Sequence, residues 1–168
     1  VDCVRATLAT VAPEVDMVIS GINAGANLGV DLLVSGTFAA AREAAIHGVA
    51  AMAVSQYRRP DVPTAWDHVA DWLSQPLTEF RDARQKIADQ NRPLLWNVNL
   101  PALRAGSPTP PRVRCAVDSS PMVRTGTTRG AELHFESDFH SRPRKQGCDV
   151  ERCFSGQITI SELSPSVT

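Results

Sequence analysis

With 168 residues, 43% of them hydrophobic and 21% charged, the chain is long enough to close one hydrophobic core and has the size of a single domain. Its 17 basic and 18 acidic side chains leave a formal charge of −1, which excludes the basic excess that a sequence-independent nucleic-acid binder or a membrane-surface protein needs. The uncharged stretch Ile19–Val30 is interrupted by glycines and asparagines and falls short of the roughly 20 apolar residues of a spanning helix, so no membrane partner is expected. The chain opens at Val1, not Met, in mid-pattern and without a basic start and apolar run; a fragment or a truncated reading frame is expected. Cys3, Cys115, Cys148 and Cys153 form no C-x-x-C unit, which points to free thiols in a reducing cytoplasm. His47, His68, His134 and His140 show no paired ligand spacing.

In chain order, Asp2 is placed to cap a helix in which Val4, Leu8 and Val11 recur at helical spacing and which Pro13 closes. Val15–Ser20 is a short apolar run that ends at a glycine, the pattern of a buried parallel strand. Gly21–Gly29 is too rich in Gly and Asn for regular structure and reads as a loop shaped by what it binds. Ser35, Gly36 and Thr37 precede an alanine-dense helix, Phe38–His47, stopped by Gly48. Val49–Ser55 is the next buried strand. Thr64 is expected to cap a helix carrying Trp66, Val69, Trp72 and Leu73 on one face, with a second helical stretch from Leu77 to about Ala88. Leu94–Leu100 is a further strand, ended by Pro101. Strands alternating with helices imply an α/β fold with a mostly parallel sheet covered on both faces. Beyond Arg104–Pro111, Arg112–Val117 and Leu133–Phe135 are candidate strands of an extended hairpin with Gly126 and Gly130 at turns, and Gly156–Leu163 alternates like a returning strand. The expected division is an α/β core over residues 1–103 and a hairpin extension with closing strand over 104–168.

Ligands of open α/β sheets bind beyond the carboxyl ends of the strands, which directs attention to Ser20–Gly29. Asn23 and Asn27 offer amide oxygens there, and the glycines allow backbone N–H groups to approach an anion. Ser35-Gly36-Thr37 adds hydroxyls and N–H groups at a helix start, a phosphate cradle or a plain N-cap. Neither a Walker motif nor a dinucleotide fingerprint is present. These neutral groups cannot neutralise a divalent cation, which prefers carboxylate oxygens. Asp16, read as buried in mid-strand, Asp31 and Asp149 are the candidates within the chain, and no carboxylate pair stands at a strand end.

Val18–Gly29 followed by Ser35–Glu43 resembles the signature of the SurE family of survival-protein nucleotidases, metal-dependent phosphatases of nucleoside monophosphates. Val1-Asp2-Cys3-Val4, Asn97-Val98-Asn99-Leu100-Pro101, Arg129-Gly130 and the segment Gly147–Leu163 are similar to further family segments, so the likeness runs along essentially the whole chain. The resemblance implies a Rossmann-like layered fold and a 5'-nucleotidase activity with one divalent metal ion, Mg²⁺ or Mn²⁺. It makes Asn23 the metal ligand and catalytic position, Ser35, Gly36 and Thr37 the phosphate-binding residues, and Ser20, Gly21, Gly25 and Asn27 the residues of the site loop. The family's consecutive aspartates and a serine ligand lie upstream of the matched part, so this chain is expected to lack them and to be inactive alone. Val30-Asp31, Val34, Cys148, Gln157 and Glu162 depart from the family's pattern. The implied partners are a nucleoside monophosphate substrate and a second copy, as a homodimer or homotetramer assembled through the hairpin. The alternative is a non-catalytic phosphate- or nucleotide-binding domain, or a decayed remnant.

Overall fold

A computed structural model of the chain describes residues 1–87, 92–122, 125–136 and 139–166. Its centre is a five-stranded sheet in the order β1-β2-β3-β7-β4, where β1 is Met17–Ala24, β2 Ala50–Gln56, β3 Leu95–Leu100, β4 Arg112–Arg114 and β7 Ile158–Leu163. β1, β2 and β3 run parallel, β7 is antiparallel to β3, and β4 is parallel to β7. A separate two-stranded ribbon pairs β5 (Thr125–Arg129) with β6 (Glu132–Glu136). The helices are α1 (Asp2–Ala6), α2 (Gly36–Ile46), α3 (Val69–Ile87) and α4 (Asp149–Phe154).

Alternation along the buried strands assigns the two faces. Ala51, Ala53 and Leu95 meet Phe38, Ala41, Ala44 and Ala45 of α2, the small side chains letting helix and sheet approach closely. On the opposite face Met52, Val54, Trp96, Val98 and Leu100 pack on Val69, Trp72, Leu73 and Phe80 of α3. Phe80 meets Trp96 edge-on at 5.2 Å. The expected α/β fold with helices on both faces is therefore present, and β1–β3 and α2 lie within a few residues of where the pattern puts them.

Several expectations are corrected. Val1, not Asp2, caps α1; Asp2 lies in its first turn, and the helix continues as one wide π turn, Thr7–Val11. Arg5 ties α1 to α2 through Glu43, at 2.5 and 3.3 Å. The two helical stretches after Thr64 are one helix beginning at Val69, with Trp66 outside it and 43% exposed. Pro76 lies inside α3 because Val69, Trp72, Leu73, Pro76 and Phe80 fall on one buried stripe. Burial of that stripe outweighs the ~3 kcal/mol that an interior proline costs. The expected end at Ala88 lies outside the described residues. Arg112–Arg114 joins the main sheet instead of the hairpin, next to β7 in the same sheet, and β5 and β6 form the separate two-stranded ribbon. Gly126 is a strand residue, whereas the turn is at Gly130. Asp16 is exposed on the opposite rim, paired with Arg84. The four cysteines are free.

The far side of β2 carries a pH-sensitive contact. Gln56 Nε2 donates to His68 Nε2 at 3.1 Å, and the imidazole lies 4.0 Å from the Trp72 ring. Burial holds His68 below its ordinary pKa, and protonation would remove the acceptor. The unfolded chain then binds this proton more readily than the folded one. The contribution is complete above the ordinary histidine value of about 6.5 and is lost as the pH falls below it. Thermal midpoints measured across that range should drop on acidification, and His68→Leu should flatten the drop.

Candidate functional site

The carboxyl ends of β1, β2 and β3 form one edge, where Ala24 pairs with Gln56 and Gln56 with Leu100. Just before that edge β1 bulges: Ser20 pairs with Ala53 and Asn23 with Ser55, leaving Gly21 and Ile22 opposite Val54. Residues 21–24, expected as irregular loop, are thus strand. Gly21 has φ +127°, and a Cβ there would lie 2.2 Å from the Val54 carbonyl oxygen, so only glycine fits. The bulge sets the direction of Asn23, whose Nδ2 donates to the Gly25 carbonyl at 2.7 Å. Its Oδ1 is the one side-chain atom that can ligate a cation.

Asn27, expected to present its amide to a ligand, is 8% exposed and turned inward. Its N–H donates to Asn99 Oδ1 at 2.9 Å, its carbonyl accepts from Asn97 Nδ2 and Asn99 Nδ2 at 2.9 and 3.0 Å, and its Nδ2 donates to Ser55 Oγ at 2.6 Å. Ser55, Asn97 and Asn99 stand on the α2 face of the sheet and are at most 1% exposed. Buried amides are kept only when hydrogen-bonded, and here three of them fix the site loop to two strands. Gly29 follows at φ +56°, its N–H donating to Asp149 Oδ2 at 2.8 Å; a Cβ would sit 2.9 Å from Arg142 Nη2 and 3.0 Å from the Asp118 carbonyl. Arg142 is buried and donates to Asp31 Oδ2 at 2.7 Å. Asp149 is fully buried; desolvation pushes its pKa up against the pull of the Gly29, Asp118 and Val150 N–H groups. Burial acts on Asp118 in the same sense, but the N–H groups of Lys145 and Ser120, with Arg142, hold its pKa below the ordinary carboxylate range.

A 3₁₀ turn, Gly29–Val34, leads from this anchor to α2. Ser35 is the N-cap, its Oγ accepting from the Phe38 N–H at 3.1 Å. The N–H groups of Gly36 and Thr37 belong to the first turn, where the helix offers no acceptor, and a Cβ on Gly36 would meet nothing within 4 Å. That open space over two donors at the positive end of an 11-residue helix suits an oxyanion. Asn23 thus lies near the carboxyl end of β1, just after the bulge at Gly21 and Ile22, and residues 25–34 connect that end to the Ser35–Thr37 turn that opens α2. Asn27 serves the same loop from beneath.

For a divalent metal the fit covers one position. Asn23 supplies a neutral oxygen, Asp31 is engaged by Arg142, and Asp149 faces backbone N–H groups. Among the described residues no group of three or more His, Cys, Asp or Glu side chains is placed to hold a metal ion.

The fold is that of an open α/β protein, a class whose ligands bind at the carboxyl ends of the parallel strands. The family profile described as survival protein SurE matches residues 1–121. A protein of Nostoc sp. (strain PCC 7120) is 39% identical over 166 residues, covering 96% of this chain and 70% of its own length. The 5'-nucleotidase SurE of Leptospira biflexa is 36% identical over 182 aligned positions, covering all of this chain and 68% of that protein. The crystal structure of the SurE protein of Aquifex aeolicus superimposes with a TM-score of 0.71 at 22% identity, over 99% of this chain and 67% of that one. The chain belongs to the SurE family.

Proposed function

We propose that this chain belongs to a metal-dependent phosphomonoesterase that hydrolyses nucleoside monophosphates to nucleoside and phosphate. The observation that carries the proposal is the open space over the first-turn N–H groups at Gly36, at the start of the helix that follows the Asn23 loop, in a family whose relatives include named 5'-nucleotidases. The Gly36 and Thr37 amides and the Thr37 hydroxyl would bind the phosphoryl oxygens and hold their charge as it grows, while Ser35 keeps the turn in place. Asn23 would take one position on Mg²⁺ or Mn²⁺, with carboxylates supplied by residues other than those described. When bound, a divalent cation neutralises the phosphoryl oxygens and acidifies water. Assembly through the β5–β6 ribbon and a cytoplasmic location, in keeping with four free thiols, complete the reading. Among the described residues no helix is long and apolar enough to cross a membrane.

In the complete protein Asn23→Ala is expected to lower turnover of a nucleoside monophosphate by roughly 10²-fold, the usual cost of one transition-state contact. Stability should change by about 1 kcal/mol, the usual net contribution of the single hydrogen bond that its side chain makes. Undiminished phosphate release would overturn the assignment. The lack of a carboxylate cluster among the described residues favours a second reading, a non-catalytic phosphate- or nucleotide-binding domain. The 168-residue chain assayed with Mn²⁺ and a nucleotide panel is expected to bind phosphate but turn over negligibly; sustained turnover would remove the second reading.

A further inference from the structure

On the α2 face, Ala51, Ala53, Ser55 and Tyr57 follow one another at every second residue, which carries Tyr57 just past the edge at which β2 ends. There its ring stacks on Phe154, the last residue of α4, with centroids 4.3 Å apart and planes 7° from parallel. Its hydroxyl shares a hydrogen bond of 2.8 Å with His140 Nδ1. The Arg144 guanidinium lies 5.1 Å from the Phe154 ring centroid. Arg59 and Asp61 form a two-point pair at 2.9 and 2.7 Å. These six residues line an open cleft of about 400 Å³, within the range of small-molecule sites. The cleft lies toward the site loop: Leu28 and Tyr57 belong to one buried apolar cluster, and Ser55, two residues before Tyr57, receives the Asn27 amide.

We propose that this cleft is a nucleobase subsite, filled by the base of a nucleotide whose phosphate lies at the Gly36–Thr37 turn. The proposal rests on the phosphomonoesterase reading and adds to it the residues that recognise the nucleoside. A base is flat and carries both donors and acceptors. It stacks on rings and on guanidinium planes, as His140 and Arg144 offer, while its edge can donate to Asp61 and accept from Arg59. A second phosphate would suit the site less, because Asp61 places a carboxylate among the cations.

Equilibrium binding by calorimetry separates the two readings, with inorganic phosphate, adenosine, uridine and their monophosphates as probes. The expected result is that a monophosphate binds at least tenfold tighter than phosphate. Arg144→Ala, a change at an exposed side chain, should weaken monophosphate and nucleoside roughly two- to fivefold and leave phosphate unchanged, the size of an exposed cation–π contact. Equal affinity for phosphate and monophosphate, or an Arg144→Ala effect shared by phosphate, would overturn the subsite and leave the phosphate turn intact. Failure to bind phosphate would overturn the phosphate turn instead. Nucleoside binding then decides the cleft alone: weakening by Arg144→Ala supports it, and its absence or indifference to that change overturns it.

Discussion

Asp149→Ala is expected to destabilise the fold by about 3–5 kcal/mol, read as a fall in the urea midpoint, and to abolish phosphate binding under conditions where the variant remains folded. The carboxylate accepts from Gly29 N–H at 2.8 Å, Asp118 N–H at 2.7 Å and Val150 N–H at 2.9 Å, all of them buried. Truncation leaves these donors without an acceptor, and each uncompensated buried donor costs ~1–3 kcal/mol. The three belong to different segments, the site loop, the strand-to-ribbon connection and α4, so the loss is not local. Gly29 opens the 3₁₀ turn that ends at Ser35, and releasing it frees the turn that presents Gly36 and Thr37. Asp149→Asn keeps one oxygen but turns an NH₂ toward a donor, and should retain about half of the lost stability. A loss below about 1 kcal/mol for the alanine variant would mean that water replaces the carboxylate and that the loop is held from elsewhere.

The layered core was legible because local patterns carry it: alanine at helical spacing makes α2, and unbroken apolar runs make β2 and β3. The site residues that touch solvent were legible through glycines and hydroxyls placed before a helix. What lay beyond single-segment patterning were contacts across long separations. Asp149 reaches Gly29 over 120 positions, and Arg142 reaches Asp31 over 111. No periodicity records which buried carboxylate meets which amide. The bulge has no local signature for a related reason. Gly21 answers to the Val54 carbonyl on the neighbouring strand, and a glycine in isolation reads equally well as a loop. Asp16 looked buried because it borders an apolar run, yet the strand begins only at Met17 and leaves it on the exposed rim. The sequence does carry one such signal: asparagines at two alternate positions of a fully buried strand occupy one face, where a desolvated amide is costly unless it holds something.

That pair supports a prediction about order. Asn99 makes two bonds to the Asn27 backbone, accepting from its N–H and donating to its carbonyl, whereas Asn97 makes one, to the same carbonyl. Asn97 Oδ1 is already buried without a partner, so removing it relieves a cost that removing Asn99 does not. Asn99→Ala should therefore destabilise by about 2–3 kcal/mol and Asn97→Ala by about 1 kcal/mol, although both residues are almost completely buried and differ by only two positions. Because both donate to the Asn27 carbonyl, their effects should be non-additive, with the double variant departing from the sum by at least ~0.5 kcal/mol. The functional readout follows the same order. Asn27 lies between Gly25, which holds Asn23, and Gly29, which holds the turn to α2, so loosening its peptide moves both halves of the proposed site at once. Phosphate affinity and metal-dependent turnover in the complete protein should fall together in Asn99→Ala and much less in Asn97→Ala. Equal losses would show that the two asparagines serve only the packing of β3 and do not position the loop.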